Sequence, residues 1–224
     1  MPIVIRQPAG LGDILFCQKI AWTHKAQGNR VIWPVIPQYS FIGNYLPDYE
    51  FPVIYYTQPE DVELQVRLTG PGVNGTGVMQ SKYEALNMEW RDWKKFVNLK
   101  RNMEIEESLA YSFVDIEDFP ICENEYALVC KSFASPPETL IAPIEIKTEL
   151  PIIEISPVDG FTPFDWCLLI ENATELHLVD TCFTYLCELV NLKARRMCLY
   201  PRLGYEAKIR TKELWSVKWE FMDD

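Results

Sequence analysis

The sequence has no long apolar run, no dense basic block and only two histidines. A membrane-spanning helix needs about 20 apolar residues, and no stretch approaches that length. The first ten residues lack the basic start and long apolar centre of a secretory signal. The 224 residues carry a formal charge of −11, whereas non-specific nucleic-acid binding depends on Lys and Arg that neutralise phosphates. We therefore expect a cytoplasmic protein with no membrane span and no nucleic-acid partner.

Patterns that bind metals are also missing. None of the seven cysteines forms a CxxC pair, the spacing of zinc knuckles and redox motifs. No DxD pair suited to a metal-bound diphosphate is present, because the Asp115/Asp118 pair, Asp159 and Asp165 have the wrong spacing or context. We expect free thiols, no bound metal and no cofactor.

Predicted strands and a predicted helix alternate at the start of the chain. Ile3–Arg6 indicates a buried strand, residues 13–27 a helix that Gly28 ends, and residues 30–36 the next strand. This order is a βαβ unit and predicts a parallel sheet. The alternation restarts after an acidic, proline-containing linker at 114–125. The second half carries predicted strands at 126–133, 151–156, 175–180 and 196–201, and predicted helices at 164–173 and 181–191.

We therefore predict an α/β fold of two facing Rossmann-like domains, at residues 1–115 and 116–224. Each would be a parallel sheet flanked by helices. The chain is long enough for two small cores. No detailed sequence repeat links the halves, so the division follows from the pattern of elements.

The segment GLGD, Gly10–Asp13, separates the first predicted strand from the first helix. Ligands of open parallel sheets bind at such turns, where the amides and dipole of the helix favour an anion. Gly10 and Gly12 would allow close backbone approach and a positive φ. The third glycine of the dinucleotide fingerprint and an acid at the end of the second strand are both missing, which disfavours an NAD or methyl-donor pocket.

Asp13 has two interpretations. It can cap the helix N-terminus, a role worth about 1 kcal/mol that Asp fills often. Alternatively, its carboxylate can face a cleft and take a proton from an attacking hydroxyl. The local sequence alone favours the cap.

Further candidates follow the predicted strands of the second half. Asp180, Thr181 and Cys182 begin a helix after a buried strand, and the free amides there would suit a diphosphate. Lys131, after another strand, and Arg202, after the last one, would neutralise phosphate charge. The alternatives are an ordinary capped helix and a solvated loop lysine. His177, inside a strand, is interpreted as a core residue.

Taken together, GLGD before an apolar helix and ELHLVDTCFTYLCELVNLKA before a strand ending LYPR resemble heptosyltransferase-like glycosyltransferases of the two-Rossmann (GT-B) type. The compact size and the motif MQSKYEAL, with DW and R downstream, are similar to small sugar transferases of large DNA viruses and phages. The resemblance covers most of the chain and is specific at Gly10–Asp13 and His177–Thr181. For a viral protein it implies the host cytoplasm.

The resemblance implies an inverting, metal-independent hexosyl- or pentosyltransferase of glycan biosynthesis. Asp13 would be the catalytic base, with Gly10, Leu11 and Gly12 as cleft backbone on the acceptor side, residues 1–115. The donor phosphate would bind on residues 116–224, at Asp180, Thr181, Cys182, Lys131 and Arg202. The substrates would be a nucleotide-sugar donor and a glycan or glycoprotein acceptor.

Two other functions remain open at this point. One is a non-catalytic, degenerate transferase that acts as a scaffold or binding protein, which the acidic surface and short chain also fit. The other is a different Rossmann-type nucleotide enzyme, which the missing fingerprint residues disfavour.

Overall fold

The structure of the protein is a computed structural model that describes residues 2–6, 10–53, 65–67, 78–113, 125–135, 138–202, 209 and 212–223. The chain divides into two compact units, residues 1–100 (unit 1) and 101–224 (unit 2). The predicted linker at 114–125 lies outside the described residues except for Glu125. The acceptor-side and donor-side roles of the two halves stay predictions.

Unit 1 contains a parallel three-stranded sheet. Its described strands and α-helices are β1 (Pro2–Arg6), α1 (Leu11–Phe16), α2 (Gln18–Ala26), β2 (Arg30–Ile32), α3 (Ile42–Tyr45), β3 (Gln65–Arg67) and α4 (Val78–Glu84). The strand order is β2-β1-β3. In β1, Ile3 and Ile5 are buried, as expected for the central strand of a parallel sheet. The predicted βαβ start of the chain is confirmed.

The helical stretch predicted at 13–27 is two helices, and it begins earlier, at Leu11. The two are separated at Cys17 because the hydroxyl of Tyr83 donates to the carbonyl oxygen of Phe16. The amide of Ile20 then donates to the oxygen of Cys17 at 3.0 Å. Gly28 follows α2 with φ at +82°, a conformation that favours glycine, so the predicted stop signal is confirmed.

Unit 2 contains a parallel five-stranded sheet in the order β10-β9-β8-β4-β7. Its described strands and α-helices are α5 (Met103–Tyr111), β4 (Ala127–Cys130), β5 (Ser132–Ser135), β6 (Glu138–Ile141), β7 (Ile152–Glu154), α6 (Cys167–Asn172), β8 (Glu175–Val179), α7 (Cys182–Cys187), β9 (Arg196–Tyr200) and β10 (Glu220–Phe221). All four residues of β4 are fully buried. The predicted class, α/β with parallel sheets and flanking helices, is confirmed for this unit.

The single strand predicted at 126–133 is wrong. Strand β4 ends at Cys130, and after Lys131 the chain forms an antiparallel hairpin, β5–β6, that pairs Ser132 with Ile141. The amide of Ala142 donates to the carbonyl oxygen of Lys131 at 2.9 Å. Lys131 therefore lies at the break between the parallel sheet and the hairpin.

Two polar contacts fasten the outer parts of unit 2. The guanidinium of Arg101 binds the buried carboxylate of Glu106 on α5 and, at 2.8 Å, the carboxylate of Glu171 on α6. The buried carboxylate of Glu188, after α7, accepts from the amides of Ser216 and Val217 at 2.7 and 2.8 Å. These bonds hold the segment that leads into β10.

Candidate functional site

The GLGD segment begins helix α1, next to the carboxyl end of β1. Gly10 is the N-cap residue, with extended backbone at φ −79° and ψ −174°. The amides of Asp13 and Ile14 donate to its carbonyl oxygen at 3.1 and 3.3 Å. Leu11, a predicted cleft residue, is the first residue of α1 and is buried. The interpretation of Asp13 as the N-cap is therefore wrong, because the helix begins two residues before it and has no side-chain cap.

The two glycines of this segment do not adopt a left-handed backbone. Gly10 is extended and Gly12 lies inside α1, whereas the described glycines with positive φ are Gly28 and Gly160. A Cβ atom at Gly10 would meet its nearest atom, the hydroxyl of Tyr39, at 3.6 Å, an ordinary contact. Neither glycine uses the positive φ that its residue type allows, and the close approach of a ligand stays a prediction.

The carboxylate of Asp13 is paired with a buried lysine. The Nζ of Lys82, on α4, contacts Oδ1 of Asp13. The side chain of Lys82 is 1% exposed and that of Asp13 is 18% exposed. Burial lowers the pKa of Lys82 to about 8, so the amine is mostly protonated at neutral pH. Asp13 thus faces partly outward with a cation directly behind it.

Helix α4 is anchored on α1 beside this pair. The hydroxyl of Tyr83, next to Lys82, donates to the carbonyl oxygen of Phe16. The rings of Tyr83 and Phe16 meet edge to face, with centroids 4.9 Å apart. Sequence reasoning missed Lys82 as a site residue. Its signal in the sequence is the motif MQSKYEAL, which contains Lys82 and carries part of the family resemblance.

Three predicted donor-side residues converge at one edge of the unit 2 sheet. Strands β4, β8 and β9 are parallel neighbours, so their carboxyl ends lie side by side. Lys131 follows β4, Asp180 follows β8, and Arg202 follows β9 after one proline. The last residue of β4, Cys130, pairs with Leu178, one residue before the end of β8. The carboxyl ends of β4 and β8 are therefore within one residue of each other.

Arg202 is held against the turn after β8. Its Nε donates to the backbone oxygen of Asp180, and its guanidinium carbon lies 5.8 Å from the ring centroid of Phe133. Burial raises the pKa of the Cys182 thiol, and the positive charge of Arg202 opposes that rise only in part. The side chain remains exposed. Arg202 and Asp180 are therefore in direct contact.

Thr181 and Cys182 form the start of α7. Thr181 is the N-cap residue by position, yet its side chain makes no capping hydrogen bond. The hydroxyl of Thr184 donates to the carbonyl oxygen of Thr181 at 2.6 Å. Burial raises the pKa of the Cys182 thiol to about 12. This thiol is protonated at neutral pH, which makes it unsuited to act as a nucleophile.

Lys131 lies beside a groove of mainly apolar residues. It lines a shallow groove of about 620 Å³ together with Glu145 and several apolar side chains. Those apolar side chains belong to Ile141, Ala142, Pro143, Ile144, Ile146 and Ile152. Lys131 thus lies at the same sheet edge as Asp180, with its side chain beside this apolar groove.

His177 is a satisfied residue of the core. Its ring is fully buried in β8, between the hydroxyl of Tyr200 and the carboxylate of Glu175, with each ring nitrogen 3.0 Å from its partner. The interpretation of His177 as a core residue is therefore confirmed.

The described residues form neither a metal site nor a membrane-spanning helix. No three His, Cys, Asp or Glu side chains in that part of the chain come together as a metal site. Within the same ranges, no helix has the length and apolarity to cross a bilayer.

Comparison with known proteins finds structural neighbours by fold alone. No protein-family model matches the sequence, and no curated protein matches it significantly. A solved structure of a glycosyl transferase family 9 protein from Veillonella parvula matches with a TM-score of 0.55 at 8% identity. The match covers 95% of this chain and 89% of that one.

The glycosyltransferase TibC from enterotoxigenic E. coli, described as iron-containing and dodecameric, matches with a TM-score of 0.51 at 10% identity. TibC in complex with ADP-D-beta-D-heptose gives 0.51 at 12% identity. These matches cover 89% and 92% of this chain but only 57% and 59% of TibC. Structural neighbours of this protein are thus glycosyltransferases, and the likeness establishes a shared fold.

Proposed function

We propose that this protein is a glycosyltransferase that moves a sugar from a nucleotide-sugar donor to a hydroxyl of a glycan or glycoprotein. One observation carries the proposal. The fold is shared with a glycosyl transferase family 9 structure over 95% of the chain, and Asp13 follows the carboxyl end of β1 with a side chain that is 18% exposed. Ligands of open parallel sheets bind at this end of the strands.

Asp13 is the proposed base. The acceptor hydroxyl gives its proton to the Asp13 carboxylate while its oxygen forms a bond to the anomeric carbon of the donor. The bond from that carbon to the diphosphate oxygen breaks, and its electron pair leaves on the diphosphate. A direct displacement of this kind inverts the anomeric configuration, and it requires no metal when protein groups stabilise the leaving group.

Unit 2 supplies the proposed leaving-group site. Arg202 carries a fixed positive charge beside Asp180 and near Cys182. Charge that is already oriented toward a developing anion is an effective form of electrostatic catalysis. The amides of Thr181 and Cys182 are the neutral donors proposed for the same diphosphate, and Lys131, one strand away, is the second cation.

The finer features of the proposal come from the family resemblance. They are a two-domain GT-B arrangement with facing domains, a hexosyl or pentosyl donor, a role in glycan biosynthesis, a viral or phage source and a cytoplasmic location. One fold neighbour was solved with ADP-D-beta-D-heptose, which supports including an ADP-sugar among the donors to be tried.

A ligand screen tests the proposal. The purified protein is heated with UDP-, GDP-, ADP- and TDP-sugars, each at millimolar concentration, beside the matching free sugars as controls. A donor present at 100 times its Kd stabilises the native state by about 2.7 kcal/mol, so the expected result is a clear rise in Tm with one nucleotide class. If no donor raises Tm, the donor-binding proposal is overturned.

A non-catalytic scaffold is the second candidate, and the ion pair between Lys82 and Asp13 favours it, because a paired carboxylate is a weaker base. The two candidates separate in one assay. A scaffold that has kept its donor pocket binds the nucleotide-sugar without transferring sugar to any acceptor, whereas a transferase releases the nucleoside diphosphate.

A further inference from the structure

We infer that Lys82 is a positioning residue for the proposed reaction: it holds the Asp13 carboxylate through Oδ1 and leaves Oδ2 to the acceptor hydroxyl. This inference rests on the proposed function, in which Asp13 is the base. The observation behind it is the contact of Lys82 Nζ with Oδ1 of Asp13, two groups 69 residues apart in the chain.

The burial of Lys82 distinguishes this pair from other ion pairs in unit 1. Lys25 pairs with Asp48, and Arg30 with Glu50, through cationic side chains that are 48% and 64% exposed, whereas Lys82 is 1% exposed. Exposed pairs contribute little to stability, and burying an ammonium loses hydration that its partner does not fully repay. Stability alone therefore does not account for a lysine at this position.

The surrounding contacts fix where the ammonium lies. Tyr83 is fully buried and joined to Phe16 by a hydrogen bond and an edge-to-face ring contact. Phe16 belongs to α1, the helix that carries Asp13. The same two helices thus hold both members of the pair, so the carboxylate is fixed in orientation before an acceptor arrives. Such preorganisation removes an entropic part of a reaction barrier.

The ammonium also favours the ionised form of the base. A carboxylate that accepts a hydroxyl proton must be ionised at the start, and a neighbouring positive charge favours that state. In the proposed step, the hydroxyl proton moves to Oδ2, the acceptor oxygen bonds to the anomeric carbon, and the diphosphate leaves with the electron pair. The proton on Lys82 stays on Nζ throughout, so Lys82 positions the base without exchanging a proton.

Variants of Lys82 test this role against a merely structural one. Lys82→Met removes the charge and keeps most of the volume, whereas Lys82→Arg keeps the charge but moves it. The matched control is Lys19→Met, because Lys19 pairs with Asp92 in the same unit and has a side chain that is only 14% exposed. Transfer rate, donor Kd and Tm are measured for all three variants.

For Lys82→Met we expect kcat to fall about 100-fold, as for a misplaced catalytic group, with donor Kd unchanged within about twofold. Lys82→Arg should keep the fold and retain a measurable kcat, lowered more than about threefold. Lys19→Met should lower Tm without lowering kcat.

Three results would overturn the inference. One is a folded Lys82→Met that transfers at the wild-type rate. Another is Lys82→Arg with unchanged kcat, which decides the matter if the Met variant is unfolded. The third is an equal loss of kcat in Lys19→Met. In these cases the wild type still transfers sugar and the proposed function stands. A wild type that transfers no sugar from any donor overturns both.

Discussion

Arg202 donates from its Nε to the backbone oxygen of Asp180, so the end of β9 is tied to the end of β8. The guanidinium also carries two terminal amino groups, which can donate to an anion. A planar group with several donors suits a phosphate better than a single ammonium does. The hydrogen bond between Arg202 and Asp180 therefore fixes the position of a phosphate-binding guanidinium in the proposed donor site.

Arg202→Ala is expected to weaken donor binding about tenfold or more, because a hydrogen bond to a charged group contributes roughly 1.5–3 kcal/mol. Calorimetric titration with the donor from the ligand screen measures this change. Arg195→Ala is the matched control, because Arg195 forms an exposed pair with Glu125 at 2.9 Å in the same unit. Equal donor Kd values for the Arg202 and Arg195 variants would remove Arg202 from the site.

Asp13→Asn is expected to lower transfer by at least about 100-fold, the range of a lost general base. Donor binding should remain. The substitution also leaves the buried Lys82 ammonium without a counter-charge, which should lower the free energy of unfolding by about 3 kcal/mol. Transfer kinetics and chemical denaturation measure the two effects separately.

The double variant Asp13→Asn/Lys82→Met separates stability from chemistry. It removes both charges, so it should recover part of the stability lost in Asp13→Asn while transfer stays absent. Recovery of transfer along with stability would show that Asp13 is only a structural partner of Lys82.

Gly10→Ala should cost less than about 1 kcal/mol of stability, the difference between Gly and Ala at an N-cap. A Cβ there meets the Tyr39 hydroxyl at 3.6 Å and forces no rearrangement. If the acceptor approaches this backbone, transfer should fall at least about tenfold, because an added methyl group crowds the acceptor. Gly43→Ala, inside α3, is the control and should leave transfer unchanged. Wild-type transfer in Gly10→Ala would exclude close approach at this glycine.

Arg101→Met is expected to destabilise unit 2 by about 3 kcal/mol, because it leaves a buried carboxylate without its positively charged partner. The guanidinium binds Glu106, whose side chain is 1% exposed, and also Glu171, so its loss loosens α5 from α6. Urea denaturation measures the change. Arg195→Met, at an exposed pair, should shift stability by less than about 1 kcal/mol. Similar midpoints for the two variants would contradict the prediction.

Four strands of the unit 2 sheet were predictable because they are mainly apolar, whereas β10 was missed and the interpretation of 196–201 as the last strand is wrong. Strands β8 and β9 are bounded by polar or proline residues, and parallel strands buried on both faces have this pattern. Asp180 and Arg202 each follow the carboxyl end of a predicted parallel strand. Such ends lie at the same edge of a sheet, so the sequence was enough to place both residues at that edge. The hairpin β5–β6 was not predictable, because residues 131–133 contain no Gly or Pro to end the strand after Cys130.

The pairing of Asp13 was not predictable for a different reason. Lysine on a helix of mixed polarity is usually solvated, and only the tertiary contact between α1 and α4 buries Lys82. The position of Asp13 in its helix was mistaken because Asp is a common N-cap, whereas here the helix begins at Leu11 after an uncapped Gly10.

The last paired strand of unit 2 determines when its sheet is complete during synthesis. Strand β10 pairs with β9 in parallel, Glu220 with Cys198 and Phe221 with Leu199. The ribosome releases residues 220–221 long after all three described strands of unit 1, which end at Arg67. Until then β9 has an open edge that can pair with another nascent chain. A chain cut before β10 should therefore aggregate more during expression than the full chain does.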